Sequence, residues 1–384
     1  MKVPFFRLKL GPTEKKSVYD VIKSGWLTTG PRVREFQQKV CKLTEAKYAV
    51  AVSSGTAGLF LAMKALSIGK GDEVITTAYT MVATVEAILH CGAKPVLVDI
   101  DPITLNIDYD SIKKKITKNT KAIITVDIAG WPCDYKPLKK LAKDNKLYLI
   151  DDAAHALGCK YGAKPIGSIS DLSVFSFYPT KNITSGEGGM AVSNSKKTIK
   201  KIKHLSLHAM SSSGWKRYSG GSWKYDVTDL GYKFNLSDLS AGLALGQLKR
   251  FETMQNKRVK MAARYKSNLS YLSDYIELPY EDKTSTHAWH LFIIKLNLSK
   301  LKITRNRFIA EMEKCGIGCG VHFIPIYHFS YYNKNPKFNI KDFPNCEKSF
   351  KRVVSLPFYT DLSIAEVDYV CEVIKKLIKQ YKKI

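Results

Sequence analysis

No apolar run in this 384-residue chain approaches the roughly 20 residues that a membrane span requires. The opening stretch MKVPFFRLKLGPTEKK also lacks the apolar centre of a signal peptide, so a protein of the cytoplasm is expected. Internal repeats and low-complexity linkers are missing as well, which argues against a solenoid or a disordered spacer. The eight cysteines, Cys41, Cys91, Cys133, Cys159, Cys315, Cys319, Cys346 and Cys371, are dispersed and mostly set in apolar runs. That is the pattern of free thiols in a reducing compartment, not of a disulfide framework. Cys315 and Cys319 are the only close pair, and no second pair or histidine cluster at zinc-finger spacing accompanies them; no metal site is expected. Acidic residues are few, 34 against 61 basic ones, for a formal net charge of +27. The lysines are scattered over helical stretches such as SIKKKITKNTK and KKTIKKIKH without an RNA- or DNA-binding signature. A solvated basic surface that favours anionic substrates is expected, and no nucleic-acid partner.

What is present reads as a globular α/β chain, 45% hydrophobic and long enough for a large domain over 1–250 and a smaller one over 251–384. Two helical patterns flank a GWLTTGP turn holding Thr28, Thr29, Gly30 and Pro31, which on its own is a helix-to-helix connection. YAVAVSSGTAGLFLAMKAL (48–66) is a strand that breaks at SSGT and resumes as a helix. Ser-Gly-Thr before a helix is a common N-cap, and it is also where small residues and a helix N-terminus can receive a phosphate. Short Val/Ile-rich strands (VITT, PVLVDID, TKAIITVDIAG) alternate with helices, which points to a largely parallel sheet covered on both faces. A basic helix leads into a long polar and aromatic stretch, 209–235, of the kind that forms lids or interface arms. One long helix is expected over about 237–270. Beyond 275 the pattern becomes α+β: HAWHLFIIKL and CGVHFIPIY as strands, TRNRFIAEMEKCGI and AEVDYVCEVIKKLIKQYKK as helices.

The chain is organised around LYLIDDAAHALG (147–158) and DLSVFSFYPTKNITSGEGGMAVS (171–193). The first run delivers Asp151 and Asp152 at a strand end, and the second delivers Lys181 into a Gly-rich turn. In an open α/β sheet, ligands sit outside the carboxyl ends of the strands. An aspartate that can hold a pyridinium and a lysine that can form a Schiff base are the two groups that pyridoxal 5'-phosphate (PLP) needs from a protein. Either acid of the pair could instead cap a helix, and it is the combination with Lys181 and the SSGT turn that favours the cofactor. His204 and His208 read as helix-surface residues, and His287 and His290 as strand residues at a domain contact.

With SSGTAG, LIDDAAHALG, FSFYPTKN, GEGG, LGYKFNLSD and HAWHLFII in this order, the chain resembles the DegT/StrS family of PLP-dependent nucleotide-sugar aminotransferases, in particular the branch that aminates 4-keto sugars. The resemblance runs from GWLTTGP to SLPFYTD. It implies a PLP-dependent transferase of fold type I, like aspartate aminotransferase, with a mainly parallel sheet in the large domain, a small C-terminal α+β domain, and a homodimer with shared active sites. It implies glutamate and 2-oxoglutarate as the amino donor pair and a nucleotide-diphosphate keto sugar as acceptor. Lys181 matches the lysine that binds the cofactor covalently. Asp152 matches the carboxylate facing the pyridine nitrogen, and His155 the residue that approaches the phenolic oxygen. Gly55, Thr56 and Ser176 match phosphate-cradling positions, and Asn235 the asparagine that reaches the phosphate from the partner subunit. Thr29 and His322 fall near positions associated with the sugar nucleotide. One departure stands out: the family has an aromatic residue on the cofactor ring in a T-aromatic-x-A-T stretch, and here TMVAT places Met81 there, a softer cover through sulfur–aromatic contact. Two other outcomes on this fold are a sugar dehydratase and a binding protein without catalysis. In the dehydrating relatives a histidine replaces the lysine, so Lys181 favours transamination.

Overall fold

The structure, a computed structural model, describes residues 1–211, 224–334 and 338–383. Helices α1 (Pro12–Ser24) and α2 (Pro31–Thr44) each begin on a proline, whose fixed φ and missing N–H suit a first helical turn. Strands β1 (Tyr48–Val52), β2 (Glu73–Thr77), β3 (Lys94–Val98), β4 (Thr120–Val126) and β5 (Tyr148–Asp152) then alternate with α3 (Gly55–Ala65), α4 (Val82–His90), α5 (Tyr109–Lys115) and α6 (Tyr135–Asp144). A small hairpin, β6 (Lys160–Tyr161) and β7 (Lys164–Pro165), precedes β8 (Leu172–Ser176), β9 (Gly189–Ser193) and α7 (Lys196–Leu205).

Seven of these strands form one sheet in the order β1-β9-β8-β5-β4-β2-β3. β9 alone runs against the other six, pairing antiparallel with both β1 and β8; β2–β3, β2–β4, β4–β5 and β5–β8 are parallel. The mainly parallel sheet expected from the strand–helix alternation is therefore present. Alternate side chains feed two cores. Ile75, Ile123 and Leu149 pack with Val33 and Phe36 of α2 and Leu138 of α6, while Val74, Ile124 and Ile150 pack with Leu61 of α3 and Ile202 of α7. A sheet buried on both faces explains why its strands read as continuous apolar runs.

The single helix expected over 237–270 is two helices, α8 (Asp238–Leu248) and α9 (Phe251–Leu269), separated at Lys249–Arg250. The break has a physical cause: Arg250 leaves helical geometry (φ −111°, ψ 6°) and its guanidinium reaches buried Glu14 of α1 at 2.9 Å. α8 stays with the first core, while α9 crosses to a second one. That second core is built on β10 (Ile276–Glu277), β11 (Phe292–Leu296) and β12 (Val353–Leu356), an antiparallel sheet, with α10 (Arg305–Lys314), α11 (Pro344–Phe350) and α12 (Ile364–Tyr381). Tyr265, Phe292 and Phe358 stack at its centre, and Val3 packs into it from the N-terminal segment.

Two expected strands are shorter or absent. In HAWHLFIIKL only Phe292–Leu296 is a strand; Trp289 takes φ +50°, which no strand tolerates. CGVHFIPIY is not a strand: Gly320 alone bridges to Ser355, Pro325 has no N–H to give a ladder, and Ile326–His328 curl into a 3₁₀ turn. All eight cysteines are free. Among the described residues no helix is long and apolar enough to cross a membrane, and no group of three potential metal ligands is found. Residues 212–223 of the long 209–235 stretch lie outside the described residues.

Candidate active site

Because β1, β2, β4, β5 and β8 share a direction, their carboxyl ends open on one edge of the sheet. β1 runs into Ser53-Ser54-Gly55-Thr56, β5 ends on Asp152 and β8 ends on Ser176. Ser54 caps α3, its hydroxyl accepting the Ala57 N–H at 3.0 Å, and the Ser53 N–H is taken by Phe234 O at 2.8 Å. The first N–H groups of α3, on Gly55 and Thr56, lack intrahelical acceptors and carry the positive end of the helix dipole. Ser176 flanks them, since a Cβ on Gly55 would stand 3.1 Å from its own Cβ. On the other side the turn presses on β9 so closely that a Cβ on Gly189 would lie 2.5 Å from Ser54 O. The result is a small-residue cradle at a helix N-terminus, the right chemistry for a phosphate.

Lys181 follows β8 in a turn closed by its own N–H to Tyr178 O at 2.9 Å. Its amine has no hydrogen bond or ion pair with any described residue, although it lies within the field of Asp152. The side chain is partly open to solvent, yet protein surrounds the amine, and desolvation lowers its pKa to about 8. About a tenth of the amine is therefore neutral at pH 7, far more than for an ordinary lysine, which favours a nucleophilic role. Asp152, 6% exposed, accepts the Thr84 hydroxyl at 2.7 Å and the Ala154 N–H at 3.2 Å. Burial raises its pKa, and these two bonds and the Lys181 charge pull it back.

Asp151, the other acid, points to the opposite face of the sheet and belongs to a different cluster. There Asp127 accepts the Cys133 N–H at 2.7 Å and the Tyr135 hydroxyl at 3.0 Å. Burial lifts Asp127 to about 7 and Asp151 well above the carboxylate range, with the Asp127 charge adding to the latter. The two strand-end acids thus differ: Asp152 faces the site, and Asp151 lies behind it, where burial and the Asp127 charge favour its neutral form.

His155 is buried, and its Nδ1 accepts the Ala129 N–H at 3.3 Å. The ring proton must then sit on Nε2, and burial with the nearby Lys181 and His322 charges holds the ring neutral. It stacks on Phe323 (5.7 Å, 18°) and touches His290 (4.2 Å). His322 is half-buried, with Nδ1 2.9 Å from the Ser355 hydroxyl and its backbone O taking the Tyr79 hydroxyl at 2.6 Å. Burial lowers its pKa to about 4. Tyr79 is fully buried in that bond, so it is not available as a ring cover, while Met81 is 55% exposed.

The GWLTTGP turn is tied to LSD: Asp238 accepts the N–H groups of Gly30 (2.8 Å), Arg32 (3.0 Å) and Val33 (2.9 Å), and the Thr29 hydroxyl donates to Leu236 O at 2.6 Å. Asn235 Nδ2 donates to Thr29 Oγ1 at 2.7 Å, and its Oδ1 takes the Lys233 ammonium at 2.6 Å. Within one chain Asn235 therefore sits beside the SSGT turn, bridged to Val52. Of the other histidines, His204 lies on α7 and meets Thr228 at 2.8 Å, apart from the cluster around Lys181. His290, read from sequence as a strand residue, belongs to that cluster instead.

An unpaired, desolvated amine, a buried carboxylate held ionisable by Thr84, and an anion cradle fit PLP. Residues 9–375 match the DegT/DnrJ/EryC1/StrS aminotransferase family. The chain belongs to that family. Its cofactor is PLP. SpsC of Bacillus subtilis, a spore coat polysaccharide biosynthesis protein, is 41% identical over 98% of this chain and 97% of its own. The PMP form of the sugar aminotransferase Spr1654 of Streptococcus pneumoniae superposes with a TM-score of 0.93 at 33% identity, covering 99% of this chain and 100% of the other. PseC of Helicobacter pylori, an aminotransferase of pseudoaminic acid biosynthesis, gives 0.90 at 27% identity over 99% and 100% of the two chains. The fold-type-I architecture expected from the motifs is the architecture of these aminotransferases.

Sequence reasoning missed Thr84, Asn182 and Gln255. Thr84 had a faint signal, as a hydroxyl residue in the first turn of the helix that follows β2. Asn182 and Gln255 act on backbone carbonyls 106 and 33 residues away in sequence, a pairing that no local pattern announces.

Proposed function

We propose that this aminotransferase converts a nucleotide-linked keto sugar, of the 4-keto class, to the amino sugar with glutamate as donor. The observation that carries the reading is the unpartnered, desolvated Lys181 amine within the field of Asp152, with the Ser54-Gly55-Thr56 cradle at the same edge of the sheet. SpsC acts in spore coat polysaccharide biosynthesis and Spr1654 is described as a sugar aminotransferase, which supports a sugar as the acceptor, and a basic chain attracts a diphosphate-bearing one.

When bound, PLP supplies the electron sink that stabilises the carbon left when a proton departs. Lys181 Nζ would hold the cofactor and, when its amine is free, would move the proton at the donor carbon. Asp152 would face the pyridine nitrogen and favour its protonated form. His155 would offer its Nε2–H to the phenolic oxygen, and Gly55, Thr56 and Ser176 would receive the phosphate. Met81 would cover the ring, and Thr29 and His322 would line the sugar-nucleotide side. We assign Asn235 to the phosphate end of the site. The working unit in this reading is a homodimer: Tyr19, Ile22, Leu27 and Leu230 are 61%, 58%, 47% and 79% exposed, apolar area of the kind a second copy covers.

The test is to incubate the protein, PLP and glutamate with a panel of nucleotide keto sugars and detect the aminated product by mass. A 4-amino product from one member supports the reading, and inactivity across the panel rejects it.

A further inference from the structure

The segment His287–His290 carries no chemistry of its own, yet it is held from three sides. From α9, Gln255 Nε2 donates to His287 O (3.3 Å) and Ala288 O (3.0 Å), and one turn later Arg258 donates to Trp289 O at 3.0 Å. From the lysine turn, Asn182 Nδ2 donates to the same Ala288 O at 2.7 Å. From the end of β4, Gly130 O accepts the Ala288 N–H (2.8 Å) and Ala129 O accepts the His290 N–H (2.9 Å). The Ala129 N–H is the donor that fixes His155. Ala129 sits at φ 57° and Gly130 at φ 93°; a Cβ on Gly130 would lie 2.8 Å from His155 O and 2.9 Å from the Ala288 Cβ. The Ala129–Gly130 loop is thus packed against, and hydrogen-bonded to, both the strap and His155. Ala288 O is the node. One carbonyl oxygen, with two lone pairs, is shared by the residue after Lys181 and by a glutamine of α9.

We infer that Gln255 is a positioning residue: by holding the 287–288 carbonyls it fixes both the Lys181 turn, through Asn182, and the His155 ring, through Ala129–Gly130. Arg258 reinforces the hold. It is a buried guanidinium with no carboxylate within 4 Å among the described residues, and its hydrogen bond is spent on the strap. The groups facing the lysine are Asp152, His155, His290 and His322. Three of these four lie on, or are bonded or stacked to, the loops that the strap fixes: His155, His290 and, through Phe323, His322. Loosening the strap therefore changes the field at the amine, beyond changing stability.

Gln255→Met keeps length and volume and removes the donor. In the cofactor-free full chain, amide exchange followed by mass spectrometry should accelerate about tenfold in peptides covering 128–131 and 181–183, with α7 unchanged. In the PLP-loaded chain, the pH midpoint of the bound cofactor's absorbance change should move by about half a unit or more. Gln255→His, which keeps a ring N–H donor, should recover most of both effects. Should Gln255→Met not fold, Asn182→Ser removes the bond on the other side of Ala288 and carries the same two readouts. Unchanged exchange and an unchanged midpoint, or exchange raised uniformly across the large sheet, overturns the inference. Neither readout uses a sugar or an amino donor, so its failure is separate from any failure of the substrate reading.

Discussion

Thr84 donates its hydroxyl hydrogen to Asp152 Oδ2 at 2.7 Å. With that hydrogen committed, the 2.8 Å contact between Thr80 and Thr84 has Thr80 as donor, so Thr80, just before α4, and Thr84 in its first turn form a directed chain that ends on the buried acid. A donor to a carboxylate favours its charged form, opposing the desolvation that raises Asp152.

Thr84→Val removes this donor at nearly constant volume. The Asp152 pKa then rises, less carboxylate remains at a given pH, and the acid limb of the activity profile moves to higher pH. The expected shift is about 0.5–1 unit with a roughly tenfold loss of turnover below it; an unmoved acid limb would show that Asp152 does not need the bond.

Lys181→Met should stabilise the cofactor-free protein in a pH-dependent way. The folded lysine titrates near 8 against an ordinary 10.5, so below 8 the fold holds an ammonium that desolvation disfavours. The gain should be about 3 kcal/mol below pH 8, shrink between 8 and 10.5 as the unfolded lysine also loses its proton, and vanish above. Urea melts at pH 7 and pH 10.5 measure it.

Met81→Phe restores an aromatic ring cover on the first residue of the α4 cap. A ring pair adds about 0.5–1.5 kcal/mol beyond area, so the cofactor dissociation constant, read by fluorescence titration, should fall roughly threefold to tenfold.

Gly189→Ala places a methyl 2.5 Å from Ser54 O and pushes the SSGT turn off β9. Phosphate affinity should weaken about tenfold or more while the sheet survives, because β9 keeps its ladder to β1 and β8. Free PLP and pyridoxal lacking the phosphate, compared by equilibrium dialysis, separate the phosphate's share: the variant should lose its preference for the former.

The sequence announced the sheet because each strand is buried on both faces and therefore reads as an apolar run between helices. It also made Asp152, Lys181 and SSGT conspicuous as candidates, since Asp152 and SSGT lie at strand ends and Lys181 in the turn after β8, where small or polar residues stand out. HAWH and CGVHFIPIY read as strands from their apolar residues, but their backbones are fixed by distant groups, the Gln255 and Arg258 side chains in one case and the Tyr79 hydroxyl and the Ser355 backbone in the other. Such contacts exist only once the two cores meet. The division of α8 from α9 was hidden for the same reason, resting on Arg250 finding Glu14 across 236 residues.

The most direct test of the account is borohydride reduction of the PLP-loaded protein followed by peptide mapping. In a chain this rich in lysine, surface amines compete for the aldehyde, so specificity is itself informative. The account predicts a single stoichiometric pyridoxyl label on Lys181, lost in Lys181→Met. A label spread over surface lysines, or retained elsewhere at full stoichiometry in that variant, would contradict it.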